Sequence, residues 1–144
     1  MKKNYFIILL ILIIINATLE ARNLQSDKNM DLSIQNTNTE LPKQIDSITT
    51  WYSMSRKNDI LIYQYIVSGT YNNINVNEYL KDSEFLHNYK QSSENFIINK
   101  YCSYPDTRKL INNGYTLKQQ FFKKNGIYLF EINIDRNICL SKGL

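Results

Sequence analysis

Cys102 and Cys139 are the only cysteines among the 144 residues, and they stand 37 positions apart. A bond between them would close a loop whose entropic effect on the unfolded chain is worth about 4 kcal/mol, a model-dependent figure. Few other features of a short chain restrict its fold as strongly. Whether the two pair depends on the compartment, because disulfides persist where the surroundings are oxidising. The same arithmetic removes other chemistries. Two cysteines and the single histidine cannot supply four Cys/His zinc ligands. The Cys-x-x-Cys spacing of a thioredoxin-like redox site is also absent.

The compartment is set by the first residues. Lys2 and Lys3 precede an unbroken apolar run from Tyr5 to Ile15. That run is shorter than the roughly 20 residues of a membrane-spanning helix. It matches the basic start and apolar centre of a secretory signal peptide. Ala17 and Ala21 are the only alanines and follow directly, so cleavage is expected after one of them, with residues 1–21 as the leader. An uncleaved N-terminal anchor is the rival reading. No cysteine near the run marks a lipoprotein. After cleavage the chain carries no stable membrane span and is placed in the periplasm or the medium. In that setting a Cys102–Cys139 disulfide is the default.

Removing the leader takes away Lys2, Lys3 and Glu20 and leaves a formal charge of +3 in place of +4. The remaining basic residues come singly or in pairs, such as Arg56-Lys57 and Lys123-Lys124. Nucleic-acid binding leaves a clustered basic footprint, so no nucleic-acid partner is expected. The richness in Ile, Asn, Lys and Tyr suggests an AT-rich coding sequence, bacterial or from a mobile element.

Residues 22–40 fit neither the helical nor the strand period and read as a flexible arm, with a short strand at Leu32 and Ile34 as an option. The domain proper is expected over 41–144. A strand is expected over about 47–55. Ile60 to Ser68 is the clearest strand, with Leu61, Tyr63, Tyr65 and Val67 on one face and Ile60, Ile62, Gln64 and Ile66 on the other. Residues 71–75 read as loop. An amphipathic helix follows over about 76–101, with Ser92-Ser93 as a candidate kink. Pro105 opens a short second helix that Asn112-Asn113-Gly114 stops. Strands at 115–122 and 127–134 flank Asn125-Gly126, the strongest short-range hairpin signal in the chain. In the last strand Tyr128, Phe130, Ile132 and Ile134 form the apolar face. The expected fold is a two-layer α+β domain of order β-β-α-α-β-β: a four-stranded antiparallel sheet with one long and one short helix.

No constellation announces chemistry. Phosphate-binding glycine loops, nucleophile elbows and His-Glu-x-x-His are missing, so neither a cofactor nor a metal is expected. His87 stands alone on the long helix. Glu131 and Asp135 are the carboxylates a small hydrolase would use, with His87 or Arg108 beside them. Eleven tyrosines occur. Tyrosine suits interfaces because it is large, rigid and amphipathic. Candidate contact residues are Tyr63, Tyr65, Tyr115 and Phe122, with Arg108. The sheet face left bare by the long helix, holding Gln64, Lys118, Gln120 and Phe122, is the expected place for a partner.

Several stretches together resemble small exported two-cysteine bacterial proteins. These are Leu41-Pro42-Lys43-Gln44-Ile45-Asp46-Ser47-Ile48-Thr49, Ile62-Tyr63-Gln64-Tyr65, Cys102-Ser103-Tyr104-Pro105-Asp106-Thr107-Arg108, Leu110 to Gly114, the Asn-Gly hairpin and the final Cys139. Some members of that group are provisionally described as quorum-sensing-regulated virulence factors. The resemblance covers about 41–139, marks Cys102, Pro105, Arg108, Gly114 and Cys139 as signature positions, and implies no agreed activity.

The sequence therefore leads to three functional expectations. The first is an exported, non-enzymatic protein that binds a protein or an envelope component, in an inhibitor, immunity or secretion-accessory role. The second is a small envelope hydrolase built on Glu131 and Asp135. The third is a host-directed effector.

Overall fold

The computed structural model describes residues 26–143. The expected leader and the first residues of the arm lie outside this range. The chain divides after Asn36 into residues 1–36 and 37–144. Residues 26–39 are helical (α1), not an irregular arm or a strand. The period was hidden by composition. Asp27, Met30, Ile34 and Thr37 are the less exposed positions, spaced as one helical stripe, but two of the four are polar.

The second unit is built on a five-stranded mixed sheet of order β1-β2-β3-β6-β7. Its strands are β1 (Lys43–Gln44), β2 (Thr49–Lys57), β3 (Ile60–Val67), β6 (Thr116–Lys123) and β7 (Tyr128–Ile134). A separate hairpin pairs β4 (Thr70–Tyr71) with β5 (Ile74–Asn75). It replaces the loop expected there. Asn72 and Asn73 take φ of 48° and 66°, the left-handed pair that a tight two-residue turn needs. The helices are α2 (Val76–Tyr79), α3 (Ser83–Ser103), α4 (Pro105–Asn112) and α5 (Arg136–Ser141).

The two terminal hairpins form as the sequence implies, but they do not merge antiparallel. β3 and β6 run parallel, with Ile60 opposite Thr116 and Val67 opposite Lys123. The reason is the length of the helical connection. α2, α3 and α4 carry the chain from the Val67 end of β3 back to its Ile60 end, so β6 starts where β3 started. The short β1 adds the fifth strand.

The helix expected over 76–101 is split by residues 80–82, because Asp82 is an N-cap: its Oδ1 accepts from the Phe85 amide at 2.8 Å. Ser92 and Ser93 stay within continuous helix. Pro105 occupies the first turn of α4, as its fixed φ favours. α5 was not foreseen. Asp135 caps it, accepting from the Ile138 amide at 2.9 Å.

One sheet face packs under α3. Leu61, Tyr63, Tyr65 and Val67 from β3, Leu117, Gln119 and Phe121 from β6, and Phe130, Ile132 and Ile134 from β7 are all buried there. The alternation read from the sequence holds except at Tyr128. A bulge between Phe121 and Phe122 pairs Tyr128 with Phe122, which turns its ring onto the other face and leaves it half exposed. Cys102 and Cys139 are buried and bonded, with their Cα atoms 5.4 Å apart. The bond fastens the end of α3 to α5. No helix among the described residues is long and apolar enough to cross a membrane.

Candidate functional site

A long helix lying over a sheet is expected to bury its apolar residues against it. α3 does so only near its C-terminal end, where Ile98 and Cys102 are buried. Toward its N-terminal end Phe85 and Tyr89 are only half-buried, and Phe96, two residues before the buried Ile98, is 66% exposed. The helix stands off the sheet here, and a half-open groove of about 740 Å³ lies between them.

Tyr65, Gln119 and Phe121 form the floor of the groove, brought together by the parallel β3–β6 pair. α3 supplies one wall. Residues 45–49 and the β4–β5 hairpin supply the other. Gly69 sets that second wall. Its φ is +113°, and a Cβ there would sit 3.2 Å from the Ser47 carbonyl oxygen. Its own carbonyl accepts from the Val76 amide at 3.0 Å. Asp46 shapes the adjoining turn, since its Oδ1 accepts from the amides of Ile48 and Thr49.

The interior is aromatic. Rings run in contact from Tyr79 through Phe85, Tyr89, Phe130 and Phe121 to Tyr65, with centroid separations of 4.7–6.4 Å. Burial raises the phenol pKa of Tyr65, Tyr89 and Tyr101 around the groove, and of Tyr63 behind it. They are neutral hydroxyls at ordinary pH. Tyr65 and Tyr101 hydroxyls face each other at 3.5 Å. The rim is apolar as well: Ile45, Tyr71, Ile74 and Phe96 are between 43% and 66% exposed. Large hydrophobes gathered at the mouth of an aromatic groove have the character of a binding surface.

The opposite sheet face, where a partner was expected, is organised differently. Ser53 Oγ donates to Gln64 Oε1 at 2.7 Å, Gln64 Nε2 reaches Gln120 Oε1 at 3.5 Å, and Gln120 Nε2 reaches Glu131 Oε2 at 3.4 Å. Lys118 and Asn133 both donate to Glu131 Oε1, at 3.0 and 3.1 Å. Asn133 and Lys118 hold the Glu131 carboxyl below its usual range. This ladder crosses four strands, and its polar groups are occupied by one another.

The sequence candidates thus part company. Tyr65 lines the groove. Tyr63 is buried behind it, in ring contact with Tyr101 and Trp51. Phe122 is on the opposite sheet face, Tyr115 is half-buried before β6, and Arg108 is exposed on α4. Glu131 belongs to the ladder, Asp135 caps α5, and His87 is exposed on α3. None of Glu131, Asp135, His87 and Arg108 lines the groove, and Glu131, bonded to Lys118 and Gln120, is on the sheet face opposite the one α3 covers, while His87 is on α3. The hydrolase grouping is not assembled. Among the described residues no three His, Cys, Asp or Glu side chains could hold a metal ion.

Sequence reasoning missed Phe96, Gln119, Tyr101 and the 45–49 turn. Gln119 carried a signal: it is a polar residue in the apolar register of β6. The stand-off of α3 carried none.

No family profile and no curated protein sequence matches the chain. Solved structures that share the fold include these two. One is a protein from Pseudomonas aeruginosa provisionally described as secreted: TM-score 0.63, 16% identity, 78% of this chain and 90% of that one. The other is a pilotin from the Vibrio vulnificus type 2 secretion system: TM-score 0.54, 13% identity, 74% of this chain and 84% of that one. At these identities the likeness is one of fold.

Proposed function

We propose that this chain is an exported, non-enzymatic binding protein that accepts an apolar segment of a protein partner in the groove between α3 and the sheet. We propose further that it serves as an accessory of an envelope secretion machine. The observation that carries the reading is the incompletely packed α3, which leaves an aromatic groove with an exposed apolar rim. A helix whose stripe is half-used has sacrificed burial worth roughly 25 cal/mol per Å² of apolar surface. A partner that covers the groove recovers it. The leader-like start and the disulfide support export. The shared fold with a secretion-system pilotin supports the accessory role.

The test blocks the groove without disturbing the core. Ser92 is exposed and lines the groove, so Ser92→Trp should fill it and leave the fold intact, as checked by thermal unfolding. The wild-type chain, used as bait on host envelope, should capture one protein saturably, and Ser92→Trp should lose it. Equal capture by both baits would overturn the groove as the binding site.

A further inference from the structure

Gln119 is fully buried on β6, between Leu117 and Phe121, and opposite Tyr63 and Ile132 in register. Its Nε2 and Oε1 are buried and have no hydrogen-bond partner, alone among the side-chain atoms of the described residues. Gln64 and Gln120, on the other face, are both bonded. A buried amide without partners destabilises a fold, and a leucine of similar size would avoid that loss at this position. Gln119 also forms part of the groove floor. The unpaired group and the binding groove therefore meet at one side chain.

Resting on the reading that the groove takes an apolar segment, we propose that Gln119 is its specificity-determining residue. It receives from that segment one neutral group with a donor and an acceptor side by side, a carboxamide or a peptide unit. Such a group answers both Nε2 and Oε1 at once. A hydrocarbon leaves both unanswered. An ionised group is excluded by the floor, which holds Tyr65, Gln119 and Phe121 and no charge to pair with; Asp46 and Lys100 are exposed at the edges. The proposed contact requires a rotamer change about the three side-chain torsions of Gln119 that turns its buried amide from the floor into the groove. Tyr65 and Tyr101, joined at 3.5 Å near the limit of a hydrogen bond, are placed to share the incoming group.

Two probes of nearly equal shape test this: 3-phenylpropanamide and its hydrocarbon counterpart 3-methylbutylbenzene. Each is titrated by NMR into the purified chain, into Gln119→Leu, and into Gln119→Met as a second variant. The wild type should prefer the amide probe over the hydrocarbon, and Gln119→Leu should lose that preference by on the order of tenfold. The variant should also melt a few degrees higher, because the unpaired amide is gone. An unchanged preference between wild type and both variants overturns the role of Gln119 and leaves the groove reading standing. Absence of binding by either probe, with no shift at Tyr71 or Phe96, overturns the groove reading and this proposal with it.

Discussion

At the scale of single residues, the wall of the groove depends on Gly69. Its φ of +113° is strained for any residue with a Cβ, and the 3.2 Å approach to the Ser47 carbonyl would require the backbone to give by a few tenths of an ångström. Gly69→Ala should cost about 1–3 kcal/mol, read from urea unfolding, because it adds strain and a backbone contact. Gly126 in the Asn125-Gly126 turn has φ of +81° but open space around it, so its alanine variant should lose less. The buried tyrosines give a second prediction. Their folded pKa values lie above the unfolded value of about 10, so the folded state holds its protons longer. The stability they contribute is complete below pH 10 and declines as pH rises beyond it. The urea midpoint should hold steady approaching pH 10 from below and fall above it; a midpoint that rose above pH 10 would contradict the burial of Tyr63 and Tyr65. The turn glycines and asparagines were legible as punctuation. The partnerless amide of Gln119 was legible only as a polar letter in an apolar register, since nothing local says whether an amide finds a partner.

At the scale of elements, caps and turns were readable because they are local. Pro105 opening α4, Gly114 closing it, and the Asn-Gly hairpin each depend on a few adjacent residues. The break before α3 is local too, but the hydrophobic stripe runs through it and masked the Asp82 cap. Asp82→Ala should destabilise the chain by about 1 kcal/mol through loss of the bond to the Phe85 amide, measurable by thermal unfolding with helix content followed in parallel. The disulfide is the strongest tie at this scale. It joins α3 to α5, and Cys102→Ser combined with Cys139→Ser should lose roughly 4 kcal/mol by the loop-entropy argument. A double variant as stable as the wild type would show that packing of α5 suffices without the bond.

At the scale of the whole molecule, an α+β architecture and the strand faces were legible, but not the sense of the central pair. Period-2 alternation fixes which residues point inward and says nothing about whether neighbours run parallel. That depends on where three helices return the chain, a property of packing across the full connection. The groove was invisible for the same reason: α3, the sheet, residues 45–49 and the β4–β5 hairpin come together around it only in the folded chain. The expectation of a partner on the other sheet face followed from counting tyrosines, whereas that face satisfies its own polar groups across four strands.

The most direct measurement of the central claim is site-specific photo-crosslinking in the host envelope, with p-benzoylphenylalanine placed at Phe96 on the groove rim or at Phe122 on the opposite face. The account predicts one protein crosslinked from position 96 and none from position 122. Crosslinks from position 122 alone would move the interface to the polar ladder and contradict the groove as the binding site.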